Sequence, residues 1–192
     1  MQITFDIPGT PEIHLDVLKA ICGDASNLSM LDLGCGFAPQ TRQLGFRSRT
    51  YVDVVERDLA EEMPYFINCN ILSNEYFKKE PYDICLALDV IEHFQKDTAD
   101  YLLYLMGRQS HKQIIFTPLG DYLIGFGDPN SPDTHRSGWQ PEELDAKGWE
   151  VISFPRFHTT LNLGAFFAYK CENIEEEAIR ILDELTNKEW TK

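Results

Sequence analysis

Apolar positions in this chain fall into short runs separated by longer, one-sided segments. Residues 28–33, 49–55, 65–69, 82–88, 113–117, 149–154 and 163–169 read as strands, and most are apolar nearly throughout, as strands covered on both faces must be. Thr10-Pro11 opens a helix over about 10–22, with Thr as N-cap and Pro at the first helical position; Ile13, Val17, Leu18 and Ile21 share a face, and Gly23 ends it. Further helical or polar segments are 38–44, 73–79, and 97–106, where Tyr101, Leu102, Leu105 and Met106 fall on one face. Pro141–Leu144 starts a short helix, and an acidic helix over about 173–187 closes the chain. This alternation predicts an α/β domain whose parallel sheet is covered on both sides. Between Leu119 and Gly138, Gly120, Gly125, Gly127, Pro129 and Pro132 mark a loop of a length that is usually functional or mobile.

Composition narrows the function classes. A length of 192 residues with 43% hydrophobic content fits one domain with one substantial core. The net charge of -14 would repel a phosphate backbone, and no basic run offsets it, so no nucleic-acid partner is expected. The acidic run Glu172, Glu175, Glu176 and Glu177 reads as a solvated helix face. Cys22, Cys35, Cys69, Cys85 and Cys171 form an odd set with no C-x-x-C pair and read as reduced core residues. The N-terminal residues lack the pattern of a signal peptide, and no run approaches the ~18 apolar residues of a membrane span. A cytoplasmic protein with no membrane partner is the default expectation. The histidines and cysteines show no His-x-x-x-His or Cys-pair spacing, so no metal is expected.

The most informative segment is Met30-Leu31-Asp32-Leu33-Gly34-Cys35-Gly36, which puts two glycines, one residue apart, directly after a buried strand. Such a turn lets a ligand approach the backbone closely. A nicotinamide fingerprint would want a third glycine where Pro39 stands, which weighs against a nucleotide-dependent oxidoreductase. Asp32-Leu33-Gly34-Cys35-Gly36 resembles the first motif of class I S-adenosylmethionine-dependent methyltransferases of the small-molecule, type 11-like kind. Tyr82-Asp83-Ile84-Cys85-Leu86-Ala87-Leu88-Asp89-Val90-Ile91-Glu92-His93 resembles their segment in which Tyr-Asp, an apolar run and Glu-His follow one another. The likeness covers roughly residues 28–170.

This resemblance implies a Rossmann-like three-layer sandwich, with a mostly parallel seven-stranded sheet and an antiparallel last strand. It also implies a cofactor half over about 28–118 and a substrate loop over about 119–140. S-adenosylmethionine would be held by Asp32, Gly34, Cys35, Gly36, Asp53, Val54, Asn70, Ile71, Leu88 and Asp89. Asp53 would accept from the ribose hydroxyls, with Glu56 as the alternative should the strand end shift. Asn70 stands where the family often has an acidic residue facing the adenine amino group; an amide can serve there, or Asn70 is a turn residue. His93 would face the reaction chamber as a base for a hydroxyl or amine acceptor, or Glu92 and His93 orient the next helix. His135, Arg136 and Trp139 offer an imidazole, a cation and an aromatic face to a polar small-molecule or glycan acceptor. Alternatively, Arg136 pairs with loop carboxylates and Trp139 packs onto the sheet. A catalytically silent scaffold that retains the cofactor fold is the competing reading from another class.

Overall fold

The computed structural model describes residues 2–56, 65–121, 128, 130–158 and 163–187, apart from the side chains of Ile174 and Glu175. Gly125, Gly127 and Pro129 of the long loop, and the Glu175 side chain of the acidic run, lie outside the described set. The strands are β1 (Gln2–Thr4), β2 (Ser29–Leu33), β3 (Ser48–Asp53), β4 (Phe66–Asn68), β5 (Tyr82–Leu88), β6 (Ser110–Pro118), β7 (Glu150–His158) and β8 (Leu163–Lys170). The α-helices are α1 (Pro11–Cys22), α2 (Lys96–Gln109), α3 (Pro141–Asp145) and α4 (Ile174–Thr186).

The strands form one sheet in the order β1-β7-β8-β6-β5-β2-β3-β4. β8 runs antiparallel to both β6 and β7, and every other pairing is parallel. The seven expected strands are present, and β1 is an eighth. Its three residues, with an exposed–intermediate–exposed pattern, are too few to show a period; their register comes from β7, with Ile3 opposite Ile152. Alternate residues supply two cores. Met30, Tyr51, Ile84, Leu86, Ile114 and Phe116 meet α1 and α4 on one face, while Leu31, Leu33, Val52, Cys85, Ala87 and Ile115 meet α2 on the other.

α1 forms as its caps require: the Thr10 hydroxyl accepts from the Ile13 N–H at 3.2 Å, Pro11 occupies the first turn, and Gly23 ends the helix at φ 67. On α2, Leu102, Leu105 and Met106 are buried as the period predicts, but Tyr101 is 50% exposed at the edge of that face. The helix expected over 38–44 is reduced to a 3-10 turn, Thr41–Gln43. Ala38, held at φ 48 immediately before Pro39, cannot start an α-helix. In the polar stretch 73–79, buried Tyr76 covers the sheet, its hydroxyl donating to the Ile71 carbonyl at 2.6 Å. The acidic face of α4 is only partly a solvated one. Glu177 is tied to Lys112 of β6 and to Arg180, and Arg180 donates to the Ala20 carbonyl at the end of α1.

Candidate functional site

β2 ends where the chain must reverse over β3. The N–H groups of Gly34 and Cys35 both donate to the Val52 carbonyl, at 2.8 and 3.1 Å. Gly34 sits at φ 66, and a Cβ there would lie 2.7 Å from a Val90 methyl, so backbone angle and packing each demand glycine. Gly36, at φ 53, has nothing within 4 Å of its would-be Cβ, which leaves the turn open on that side.

Two carboxylates hold this turn. Asp53, at the end of β3, accepts from the Gly36 N–H at 2.9 Å through one oxygen and from the Val55 N–H at 2.8 Å through the other. Its carboxylate therefore clasps the glycine turn to the loop after β3, while each oxygen retains a lone pair. Asp32 is buried and accepts from the Thr41 hydroxyl at 2.6 Å. Burial pushes its carboxyl up to about 7, with Thr41 opposing the rise and neighbouring Asp53 adding to it.

The end of β5 lies beside them. Asp89 adopts φ 54, a strained angle for a residue with a Cβ, and its N–H donates to the Phe116 carbonyl at 2.9 Å. A 3-10 turn, Ile91–His93, follows. Glu92 is 2% exposed and accepts from the Thr117 hydroxyl of β6 at 3.0 Å. Burial and the nearby Asp89 carboxylate hold Glu92 well above the usual carboxylate range. Asp89 is exposed at the cavity wall. His93 is held below its ordinary value, first by burial and then by neighbouring His135.

These strand ends surround a cavity of about 690 Å³ at the carboxyl edge of the sheet, where open α/β folds bind ligands. All ten residues expected to hold a cofactor, Asp32, Gly34, Cys35, Gly36, Asp53, Val54, Asn70, Ile71, Leu88 and Asp89, line it. Glu56 is exposed and off the lining, whereas Asp53 is on it. Asn70 lines the cavity and also shapes a turn, its side-chain oxygen accepting from the Leu72 N–H at 2.9 Å.

His93 and Arg136 line the other end of the cavity. The Arg136 guanidinium donates to the carbonyls of His93, Thr134 and Ser131 at 2.8 to 2.9 Å, stapling the 131–136 segment to the turn after β5. His135 is off the lining, but its ring lies 4.8 Å from that of His93. Trp139 is not brought to the cavity. It is 1% exposed, with the Lys96 ammonium 3.7 Å above its ring, and its carbonyl accepts from the Gly120 N–H. That pairing extends the sheet and turns the indole into the core. Among the described residues, Glu92, His93 and His135 form a trio that could hold a metal ion, with one potential ligand atom from each all within 4.8 Å of one another.

Sequence reading missed Phe37 and Thr41 on the lining. Phe37, 58% exposed between Gly36 and Ala38, could have been suspected as an aromatic set inside the glycine turn. Thr41 carried no signal beyond the need of a buried Asp32 for a donor.

No protein-family model matches the chain. Over 110 residues it is 28% identical to the ubiquinone biosynthesis O-methyltransferase of Rickettsia bellii (strain OSU 85-389), a match covering 52% of this chain. The match takes in 45% of that relative, so the chain spans about half the length of the curated relatives it matches. Among solved structures it resembles the N-methyltransferase NodS from Bradyrhizobium japonicum WM9, with a TM-score of 0.62 at 12% identity over 84% of this chain and 96% of that one. It also resembles DhpI in complex with S-adenosylhomocysteine, with a TM-score of 0.58 at 15% identity over 82% and 83% of the two chains. The methyltransferase domain of bacterial CtHen1 gives 0.55 at 17% identity over 81% and 96%. The chain thus has the Rossmann-like fold of the S-adenosylmethionine-dependent methyltransferases.

Proposed function

We propose that the chain transfers a methyl group from S-adenosylmethionine to a small-molecule or glycan acceptor. The observation that carries this reading is the convergence of the ten expected cofactor residues on one cavity with the glycine turn at its wall. The residues suit the cofactor chemically. Buried Asp32 would meet its cationic amino group, and the remaining lone pairs of Asp53 would accept from ribose hydroxyls. Ile71 and Leu88 offer apolar contacts to adenine, and Gly36 leaves room for the backbone approach. A volume of about 690 Å³ falls within the ~300–1,000 Å³ of small-ligand sites.

When bound, the cofactor supplies an electrophilic methyl on a sulfonium. The protein's task is then to exclude water and hold the acceptor near attack geometry, a contribution worth up to ~10⁵–10⁸ M in effective concentration. His93, kept neutral by burial, is able to take a proton from a hydroxyl or amine. Arg136 orders the cavity mouth, and His135 supports His93 from behind. Trp139 serves this site only through packing.

Likeness to the small RNA methyltransferase HEN1, with a TM-score of 0.58 at 17% identity, favours RNA as a second acceptor class. The charge of -14 opposes it. Calorimetry with S-adenosylhomocysteine on the native chain and on Asp53→Asn tests the cofactor reading. Micromolar binding that weakens at least tenfold in the variant is expected. Preference for NAD would point to an oxidoreductase, and cofactor binding without turnover of any acceptor would point to a scaffold. Tight RNA binding that falls steeply with salt would move the acceptor to the HEN1-like class.

A further inference from the structure

Three side chains beside the cavity converge. Glu92 and His93 come from the turn after β5, and His135 from the segment beyond β6. Two backbone bonds hold these segments together, from the Arg136 and Ser137 N–H groups to the Glu92 carbonyl at 2.7 and 3.1 Å. The Arg136 guanidinium adds a third, to the His93 carbonyl. One carboxylate oxygen and one nitrogen of each imidazole then lie within 4.8 Å of one another. Ligand atoms about 2.0–2.2 Å from a shared ion stand roughly 3–4 Å apart, so modest side-chain rotation would close the trio.

Two further features mark the cluster as built for a ligand. Among the described residues, Glu92 Oε1 and His93 Nδ1 are buried and have no hydrogen-bond partner, although Glu92 is only 2% exposed. Leaving such atoms unmatched is costly in a fold that satisfies most of its buried polar groups. The other Glu92 oxygen is fixed by the Thr117 hydroxyl at 3.0 Å, the kind of outer partner that orients a metal-ligating carboxylate.

We propose that Glu92, His93 and His135 bind one divalent transition-metal cation at the acceptor end of the cavity. Two imidazoles and one carboxylate suit manganese, iron, cobalt or zinc better than calcium or magnesium, and three protein ligands leave coordination positions open. His93 lines the cavity, which puts the site beside the acceptor's space.

The role of the ion, unlike its binding, rests on the methyl-transfer reading. A cation there commits the acceptor to an oxygen nucleophile, because coordination eases loss of the hydroxyl proton to water. The oxygen's electron pair forms the new O–CH₃ bond, the S–CH₃ pair stays on sulfur, and the metal keeps its oxidation state. His93 then holds the ion rather than taking the proton.

The test is calorimetry of chelator-treated full-length protein with MnCl₂, ZnCl₂ and MgCl₂, without cofactor, alongside thermal melts. One Mn²⁺ or Zn²⁺ per chain is expected, bound at least tenfold more tightly than Mg²⁺. His93→Ala and His135→Ala should each weaken binding at least tenfold, while the exposed His111→Ala should not change it. His135→Gln provides a second variant should His135→Ala fail to fold. Absence of saturable binding, or binding unchanged in both His93 and His135 variants, overturns the site. S-adenosylhomocysteine binding measured on the same samples separates the two readings. Metal binding without it keeps the site and removes the methyl-transfer role, whereas cofactor binding without metal removes the site alone.

Discussion

At the scale of single residues, the two glycines of the turn answer to different demands, and their variants should separate stability from binding. Gly34→Ala meets both a left-handed backbone and a Val90 methyl at 2.7 Å, so a loss of roughly 2–4 kcal/mol is expected, read as a lower melting temperature. Gly36→Ala has no steric neighbour and should cost only the left-handed term, about 1–2 kcal/mol, yet lower S-adenosylhomocysteine affinity at least tenfold. Equal effects in both assays would place Gly36 outside the ligand's reach. Asp32 makes a prediction of opposite kind. Its folded carboxyl is raised from 3.8 to about 7, so the folded state binds the extra proton, and the stability this contributes is lost as pH rises through that interval. Melting temperature measured from pH 5 to 8 should fall less in Asp32→Asn than in the native chain.

At the scale of elements, legibility in the sequence followed from whether the signal was local. α1 was readable because Thr10, Pro11 and Gly23 mark its ends and its apolar face repeats, and β2 and β5 were readable because both of their faces are buried. The segment 38–44 misled because its composition suits a helix while Ala38, in a left-handed angle before Pro39, forbids one. The ten positions that line the cavity were accessible through motif likeness, since they cluster at strand ends. The partnership of Glu92 with Thr117, and of His93 with His135, was not, because sheet order alone brings those segments together. Trp139, offered as a substrate contact with packing onto the sheet as the alternative, is core, while Glu177 looked solvated and is clamped. Lys112 and Arg180 hold the Glu177 carboxyl down at about 2, so its contribution is present at neutral pH and is lost as pH falls through that value. With partial solvent screening, Glu177→Gln should cost about 1–2 kcal/mol at pH 7, and the difference from the native chain should vanish near pH 2–3 in urea unfolding curves.

At the scale of the molecule, the sheet has two unequal halves. The cavity belongs to β2, β3, β4 and β5, where the described chain crosses between strands with little helix. The other half is closed by β1, whose register with β7 is backed by Phe5 N–H to the Ser153 carbonyl at 2.9 Å and by Arg156 with Asp6. Removing residues 1–8 should bare the β7 edge, lower the melting temperature and promote self-association by size-exclusion chromatography, while leaving cofactor affinity within about twofold.

That same closure sets an order of events during synthesis. Gln2 is made well before its partner Val151, and β7 itself joins the sheet only through β8, which ends at Lys170. At ~5–20 residues per second, the N-terminal strand waits on the order of ten to thirty seconds for its place. The strands around the cavity have no such wait, so a nascent chain can assemble the half that holds the cavity while Gln2–Thr4 are still unpaired.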